Sequence, residues 1–443
     1  MTGETVQDNQ TTADANLTSP PSFGELIATW ARIGVLSFGG PAGQIALMHR
    51  TIVEEKRWLS EAQYLSALNF CMLLPGPEAM QLATYVGWRT HGVAGGIAAG
   101  LLFVIPGAAV VLALSSMYVA FGAVPAVAAI FVGVKAAVLA IVIDALLKVA
   151  RRALKLQSDW LIAAAAFVAI FVFKVPFPLI ILTAAFVGYL RVSTSQSEAD
   201  WAPSPATDVS YVITIRTIAI WGAVWLAPLA AIVLSLGSDH VLSQAGWFFS
   251  KLAVVTFGGA YAVLAYMAQE VVQNYGWLTP GEMLDGLGLA ETTPGPLILV
   301  LEFVGFIAGF RDGGWPMALA AAFVTLWATF APCFLWIFAG APYVEWLNAQ
   351  PKLKGALSAV TAAVVGVILN LSVWFALNVL FKSAQTVRLG PVSIELPQTA
   401  SLDGVALGLA GIAVMLMFGF KRGVLTTLGV GAALALGWHA AVA

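Results

Sequence analysis

The stretch 64-YLSALNFCMLLPGPEAMQLATYVGW-88 is apolar enough to lie in a membrane, yet Pro75-Gly76-Pro77 and Glu78 stand at its centre. Proline inside a helix removes a hydrogen bond and collides with the preceding turn, at about 3 kcal/mol. In hydrocarbon each backbone group freed in this way is costly unless something satisfies it. Such a break is tolerated where it is packed in protein or lines a wet cavity. There it also becomes useful. The residues after it start a new half-helix, whose N–H groups and positive dipole end can hold an anion. Proline suits the first position of that half-helix, because its missing N–H would be unpaired anyway.

Composition places the break in a membrane. Of 443 residues, 60% are apolar and 10% charged, against about 25% charged in soluble domains. Mean hydropathy is +0.89. Apolar stretches recur along the whole length, so the expectation is an all-α polytopic membrane protein. Net charge is −2, which leaves no bulk basic footprint for nucleic acid. Cys71 and Cys333 both lie in apolar segments and form no metal spacing. His49, His91, His240 and His439 are scattered near segment ends. No cofactor, metal site or catalytic constellation is expected. Residues 1–22 lack Lys and Arg and an apolar core, so they read as a disordered tail and not as a secretory signal.

About thirteen apolar stretches run from 23 to 441, and internal repeats organise them. Ser37-Phe38-Gly39-Gly40 matches Thr256-Phe257-Gly258-Gly259, an offset of 256 − 37 = 219. Trp58-Leu59-Ser60 matches Trp277-Leu278-Thr279, and Pro75-Gly76-Pro77 matches Pro294-Gly295-Pro296, at the same offset of 219. Farther on the offset becomes 226, with Pro106 against Pro332 and Ala136-Ala137-Val138 against Ala362-Ala363-Val364. The chain therefore divides into a first repeat, 23–191, a linker with one joining helix, 192–246, and a second repeat, 247–441, each repeat with six apolar segments. One extra crossing between repeats inverts the second, a recurring plan of secondary transporters.

Charge sets the expected orientation. Lys148, Arg151, Arg152 and Lys155 cluster between two stretches, and Arg191, Lys352, Lys354, Lys421 and Arg422 lie at other ends. All can be cytoplasmic together. The loop with Arg50, Lys56 and Arg57 joins them only if 23–48 and 60–90 are broken and re-enter. Its counterpart, with Glu270, Glu282 and Asp285, is then an outside loop. Kinked full spans are the alternative.

Charges within membrane segments are functional candidates. Lys135 stands within 126-AVAAIFVGVKAAVLAIVI-143. Asp144 is about 900° of helical rotation away and faces the other side. A partner for Lys135 is therefore expected in Glu78, Glu291 or an anionic substrate. Glu78 follows the first PGP, Glu291 precedes the second, and Glu302 lies within 297-LILVLEFVGFIAG-309. Carboxylates at such depth suit proton coupling, with structural ion pairs as the plainer reading. The repeat does not keep these charges: Glu78 aligns with Leu297 (78 + 219), Lys135 with Thr361 (135 + 226) and Asp144 with Asn370. The glycines of 92-GVAGGIAAG-100 read as close helix packing.

The strings 34-GVLSFGGPAGQIALMHR-50, 73-LLPGPEAMQLATYVGW-88, 256-TFGGAYAVLAYMAQEVV-272 and 284-LDGLGLAETTPGPLILVLEFVGF-306 resemble the two halves of the chromate ion transporter family, in its long two-domain type. The resemblance covers most of the chain outside the tail and linker. It implies efflux of chromate across the bacterial inner membrane, driven by the membrane gradient, with sulfate as a close analogue. The residue types suit a tetrahedral dianion independently. Gly39, Gly40, Gly76, Gly258, Gly259 and Gly295 allow backbone approach. Ser37, Gln44, Gln81, Thr256, Tyr261, Thr292 and Thr293 add donors, Lys135 a cation, and the prolines at 75, 77, 294 and 296 fix the breaks. Expected partners are the anion and the lipid bilayer, with a homodimer left open. The competing readings are uptake or exchange of sulfate or another oxyanion, an anion channel, and a membrane-embedded enzyme. The last is disfavoured because no HExxH occurs and no histidine sits at mid-segment.

Overall fold

The computed structural model describes residues 20–38, 40–192, 211–257, 260–389 and 392–442. Most of the predicted tail and linker thus lies outside the described residues. Helix α1, Phe23–Leu36, is capped by the Ser22 hydroxyl, which accepts from Glu25 N–H. After it come α2, Gly40–His49, a π-helical turn, Arg50–Glu55, and α3, Glu61–Leu73. Helix α4, Glu78–Phe121, is two arms joined at a sharp corner. Helices α5 (Pro125–Ala153), α6 (Gln157–Phe171) and α7 (Phe177–Arg191) complete the first half, and α8 (Tyr211–Leu236) joins it to the second.

The second half runs α9 (Val241–Val255), α10 (Ala260–Gln269), a π-helical turn (Glu270–Asn274), α11 (Pro280–Thr292), a 3₁₀ turn (Leu297–Leu299) and α12 (Val300–Gly340). After the short α13 (Val344–Asn348) come α14 (Pro351–Leu380), α15 (Gly404–Val414) and α16 (Val424–Val442). Local structure recurs between the halves. Capping boxes open both α3 (Ser60 with Gln63) and α11 (Thr279 with Glu282). The corner of α4 lies at His91 and Gly92 (φ 59°, ψ −153°), and that of α12 at Gly313 and Gly314 (φ 67°, ψ −155°). A positive φ of this kind favours glycine.

The corners fold each long helix into a hairpin. A Cβ on Gly87 would stand 2.2 Å from Gly95 O, and one on Gly309 would stand 2.4 Å from Met317 O. Only hydrogen at these positions lets the two arms touch. The hairpin offset is 309 − 87 = 222, three more than at the PGP breaks. The three extra residues are the 3₁₀ turn Leu297–Leu299. Glu78, the first residue of α4, therefore matches Val300, the first of α12, and not Leu297 as the uninterrupted offset predicts. Glu302 takes the place of Met80.

The ends of the short helices meet. Lys56 pairs with Glu25 at 2.7 Å, His49 with Glu61 at 2.6 Å, and the Phe23 and His91 rings lie 5.5 Å apart. So α1 and α3 leave one end of the molecule, and α2 and the 78–90 arm return to it. In the second half Arg311 binds Glu282 at 2.6 Å and also the Trp277 carbonyl. The start of α11 and the end of the 300–312 arm thus share an end. Helix α1, with 14 residues, spans about 21 Å, short of a hydrocarbon core of about 30 Å.

Six described helical segments are long and apolar enough to cross a membrane: Glu78–Phe121, Pro125–Ala153, Tyr211–Leu236, Leu297–Asn348, Pro351–Leu380 and Val424–Val442. The chain is a helical, multi-pass membrane protein. The thirteen predicted stretches do not become thirteen such helices, because several divide at their glycines and prolines. Residues 384–397 also depart from an all-α chain. Strands β1 (Ala384–Leu389) and β2 (Val392–Pro397) pair antiparallel, Ala384 opposite Pro397 and Leu389 opposite Val392. The segments AQTVRL and VSIELP carry the β-branched enrichment of strands.

Candidate functional site

The four breaks meet in two pairs, each pair across the halves. Gly76 N–H donates to Thr256 O at 2.9 Å, and Gly295 N–H donates to Ser37 O at 2.8 Å. Each PGP is thereby tied to the α1- or α9-terminal break of the other half. Gly76 (φ 117°) and Gly295 (φ 87°) adopt a conformation that glycine allows. Both are packed. A Cβ on Gly76 would stand 3.0 Å from Cys333 Sγ, and one on Gly295 would stand 3.3 Å from Gly107 Cα. Pro77 and Pro296 are the N-caps of α4 and of the 3₁₀ turn, with Pro75 and Pro294 preceding the two glycines.

The predicted donors gather here, but their protons are turned inward. Ser37 Oγ donates to Ile33 O at 2.6 Å and Thr256 Oγ1 to Leu252 O at 2.5 Å. Thr292 and Thr293 donate to Leu289 O at 2.7 Å and Ala290 O at 2.9 Å. A hydroxyl has one proton, so none of these four offers it to an anion in this conformation. The correction has a local cause: Ser and Thr at a helix end bond back to a carbonyl one turn earlier. Gln44 Nε2 donates to Gly295 O at 2.5 Å, and Gln81 Nε2 to Pro75 O at 2.6 Å. The Oε1 atoms of both amides are buried with no hydrogen-bond partner among the described residues. The Gly76 and Gly295 N–H groups, expected to be free, are those of the inter-half bonds. Gly40 opens α2 with φ 72°, and Gly39, Gly258 and Gly259 lie outside the described residues.

The charged residues are not all at the breaks. Lys135 Nζ lies 3.3 Å from Asp285 Oδ1, and Tyr118 donates to Asp285 Oδ2 at 2.9 Å. Its partner is therefore neither Glu78 nor Glu291. Lys135 also stands 3.6 Å from where a Cβ on Gly281 would be, in the first turn of α11. The second PGP follows the far end of that helix. Asp285, expected in an outside loop, is buried at 4% exposure within α11. The signal was present: a carboxylate among Met283, Leu284 and Leu287, inside a helix started by Pro280 and the capping box, whereas the charge count placed it in the loop.

Glu291 accepts from Tyr261 at 2.8 Å, and Asp144 pairs with Lys148 at 2.6 Å. Glu78 opens α4. Glu302 is 1% exposed, and its Oε2 finds no hydrogen-bond partner among the described residues. The breaks, the carboxylates beside them and a Lys–Asp–Tyr cluster nearer one end are thus three separate groups on one frame.

Comparison with known proteins places this frame. The family model for chromate transporters matches residues 24–189 and 243–438, one region in each half. Over 364 residues the chain is 31% identical to a chromate transport protein of Cupriavidus metallidurans, covering 82% of this chain and 85% of that one. It is 30% identical to a chromate transport protein of Pseudomonas aeruginosa over 92% of this chain and 91% of that one. A probable chromate transport protein of Synechococcus elongatus is 31% identical, over 78% and 83%. No solved structure matches.

Proposed function

The chain belongs to the chromate transporter family, and we propose that it exports chromate across a bacterial inner membrane, driven by the membrane gradient. It is a transporter and not an enzyme. The two halves act as inverted repeats that open alternately to the two sides. The end bearing Lys56, Glu61 and His91 is cytoplasmic, and the end bearing Trp277, Glu282 and Arg311 is external. The anion sits where the four breaks meet, at the starts of α4 and of the 297–299 turn, where half-helix dipoles favour negative charge.

The observation that carries this reading is the reciprocal pair of bonds, Gly76 N–H to Thr256 O and Gly295 N–H to Ser37 O. It supports a site built from both halves, at a seam that must shift when they move. An arriving dianion recruits the hydroxyls of Ser37, Thr256, Thr292 and Thr293 and the amides of Gln44 and Gln81 by rotating them from the protein's own carbonyls. Glu78, Glu291 and Glu302 are the candidates for coupling transport to protons.

Anion flux into inverted vesicles tests the reading, with chromate and sulfate in competition and the proton gradient set or collapsed. Chromate uptake that stops on collapse is the expected result. Uptake of sulfate that chromate fails to inhibit would replace chromate with sulfate as the cargo. Flux indifferent to the gradient would point to a channel.

A further inference from the structure

We propose that Lys135, Asp285 and Tyr118 form the gate that closes the external end. The inference rests on the alternating-access reading above. The three residues come from α5, α11 and α4, so the cluster bridges the halves. It lies at the end marked by the start of α11, one turn from Glu282 and its partner Arg311. Asp285 is held at both oxygens. Tyr118 donates to one at 2.9 Å, and Lys135 faces the other at 3.3 Å without a well-aligned hydrogen bond. Parting the halves here must break both contacts to a carboxylate whose side chain is only 6% exposed.

The pseudo-equivalent place at the other end is built from different residues. Asp285 matches Ser66 (285 − 219), and Lys135 matches Thr361 (361 − 226). There Asn348 donates to Ser66 O at 2.9 Å and to Ser66 Oγ at 3.1 Å. Thr361 bonds back to Leu357 O in its own helix, at 2.8 Å. The halves are not identical at this position: one places an ion pair and a phenol there, and the other an amide contact between Asn348 and Ser66.

Gly281 provides a reporter, because a side chain there would lie under Lys135 with only ordinary contacts. G281C is introduced into the parent, and its reaction with an impermeant maleimide is timed in intact cells. The buried native Cys71 and Cys333 give the background. D285N should accelerate labelling roughly tenfold, as a shift in population of that size requires. Y118F should give a smaller rise, and the exchange K135D/D285K should return the rate toward that of the parent. D285N and Y118F proteins that insert normally and label at the parent rate would overturn the gate. So would an exchanged pair that labels as fast as D285N, since packing and not charge would then close this end. Added chromate separates the two ideas. A parent rate that responds to chromate while D285N has no effect sinks the gate alone. A rate that responds to D285N but never to chromate sinks the alternating-access reading and leaves the gate.

Discussion

Single side chains decide how charge is carried through this membrane. Removing Lys135 leaves Asp285 buried beside a phenol, and breaking such a pair from one side costs about 3–5 kcal/mol. K135M should therefore lower the melting temperature in detergent and abolish export. K135M/D285N, with no charge left to strand, should melt closer to the parent. A double variant no more stable than the single would show that the ion pair contributes little. Glu78 is argued separately. E78Q keeps the size of the side chain but cannot exchange a proton, so chromate binding should persist while flux loses its response to a pH gradient. Flux in E78Q that follows the gradient as in the parent would remove Glu78 from coupling. At this scale the sequence was only partly legible. Lys135 stood out as a charge in an apolar run, and Glu302 likewise. Asp285 was missed because it was counted with the charges of the loop before it, although it lies within a helix that starts at Pro280. The inward-turned hydroxyls were not legible at all, since residue type says that Ser37 and Thr256 can donate and not to what.

Whole elements carry the breaks. Glycine at the corners of α4 and α12 has φ of 59° and 67°, with open space around a would-be Cβ. G92A and G314A should thus cost only the backbone term, about 1–3 kcal/mol each. A drop much larger than that in either variant would mean that the corner is packed in a way the space around it denies. The return of α2 and of the 78–90 arm to the end they left predicts sidedness. A cysteine at Glu55 should resist an impermeant reagent in intact cells, and one at Tyr275 should react; the reverse pattern would turn the molecule over. Much of this architecture was readable. The paired strings at offset 219 name the four breaks that pair across the halves, because glycine and proline act locally; the corners at Gly92 and Gly314 were not named by them. The 3₁₀ turn that shifts the offset to 222 was not readable, since an inserted LIL in an apolar run changes neither hydropathy nor period. The β-hairpin at 384–397 was passed over for a related reason: two strands of six residues lie within a polar interruption that also suits a loop.

At the scale of the molecule, the account stands on the seam where Gly76 and Gly295 each bond across to the other half. Because the contact is reciprocal, equivalent changes in the two halves should act alike, even though the charges of the halves differ. The direct measurement is chromate binding to purified protein in lipid nanodiscs. It compares the parent with variants in which Pro75-Gly76-Pro77 or Pro294-Gly295-Pro296 is replaced by three alanines. Alanine raises helix propensity, so insertion should survive while the half-helix starts are lost. The account predicts that each variant inserts as the parent does and binds chromate at least ~10-fold more weakly, a loss of about 1.4 kcal/mol. A well-inserted triple-alanine protein that binds with the parent's affinity would contradict it, because the anion would then be held away from the breaks.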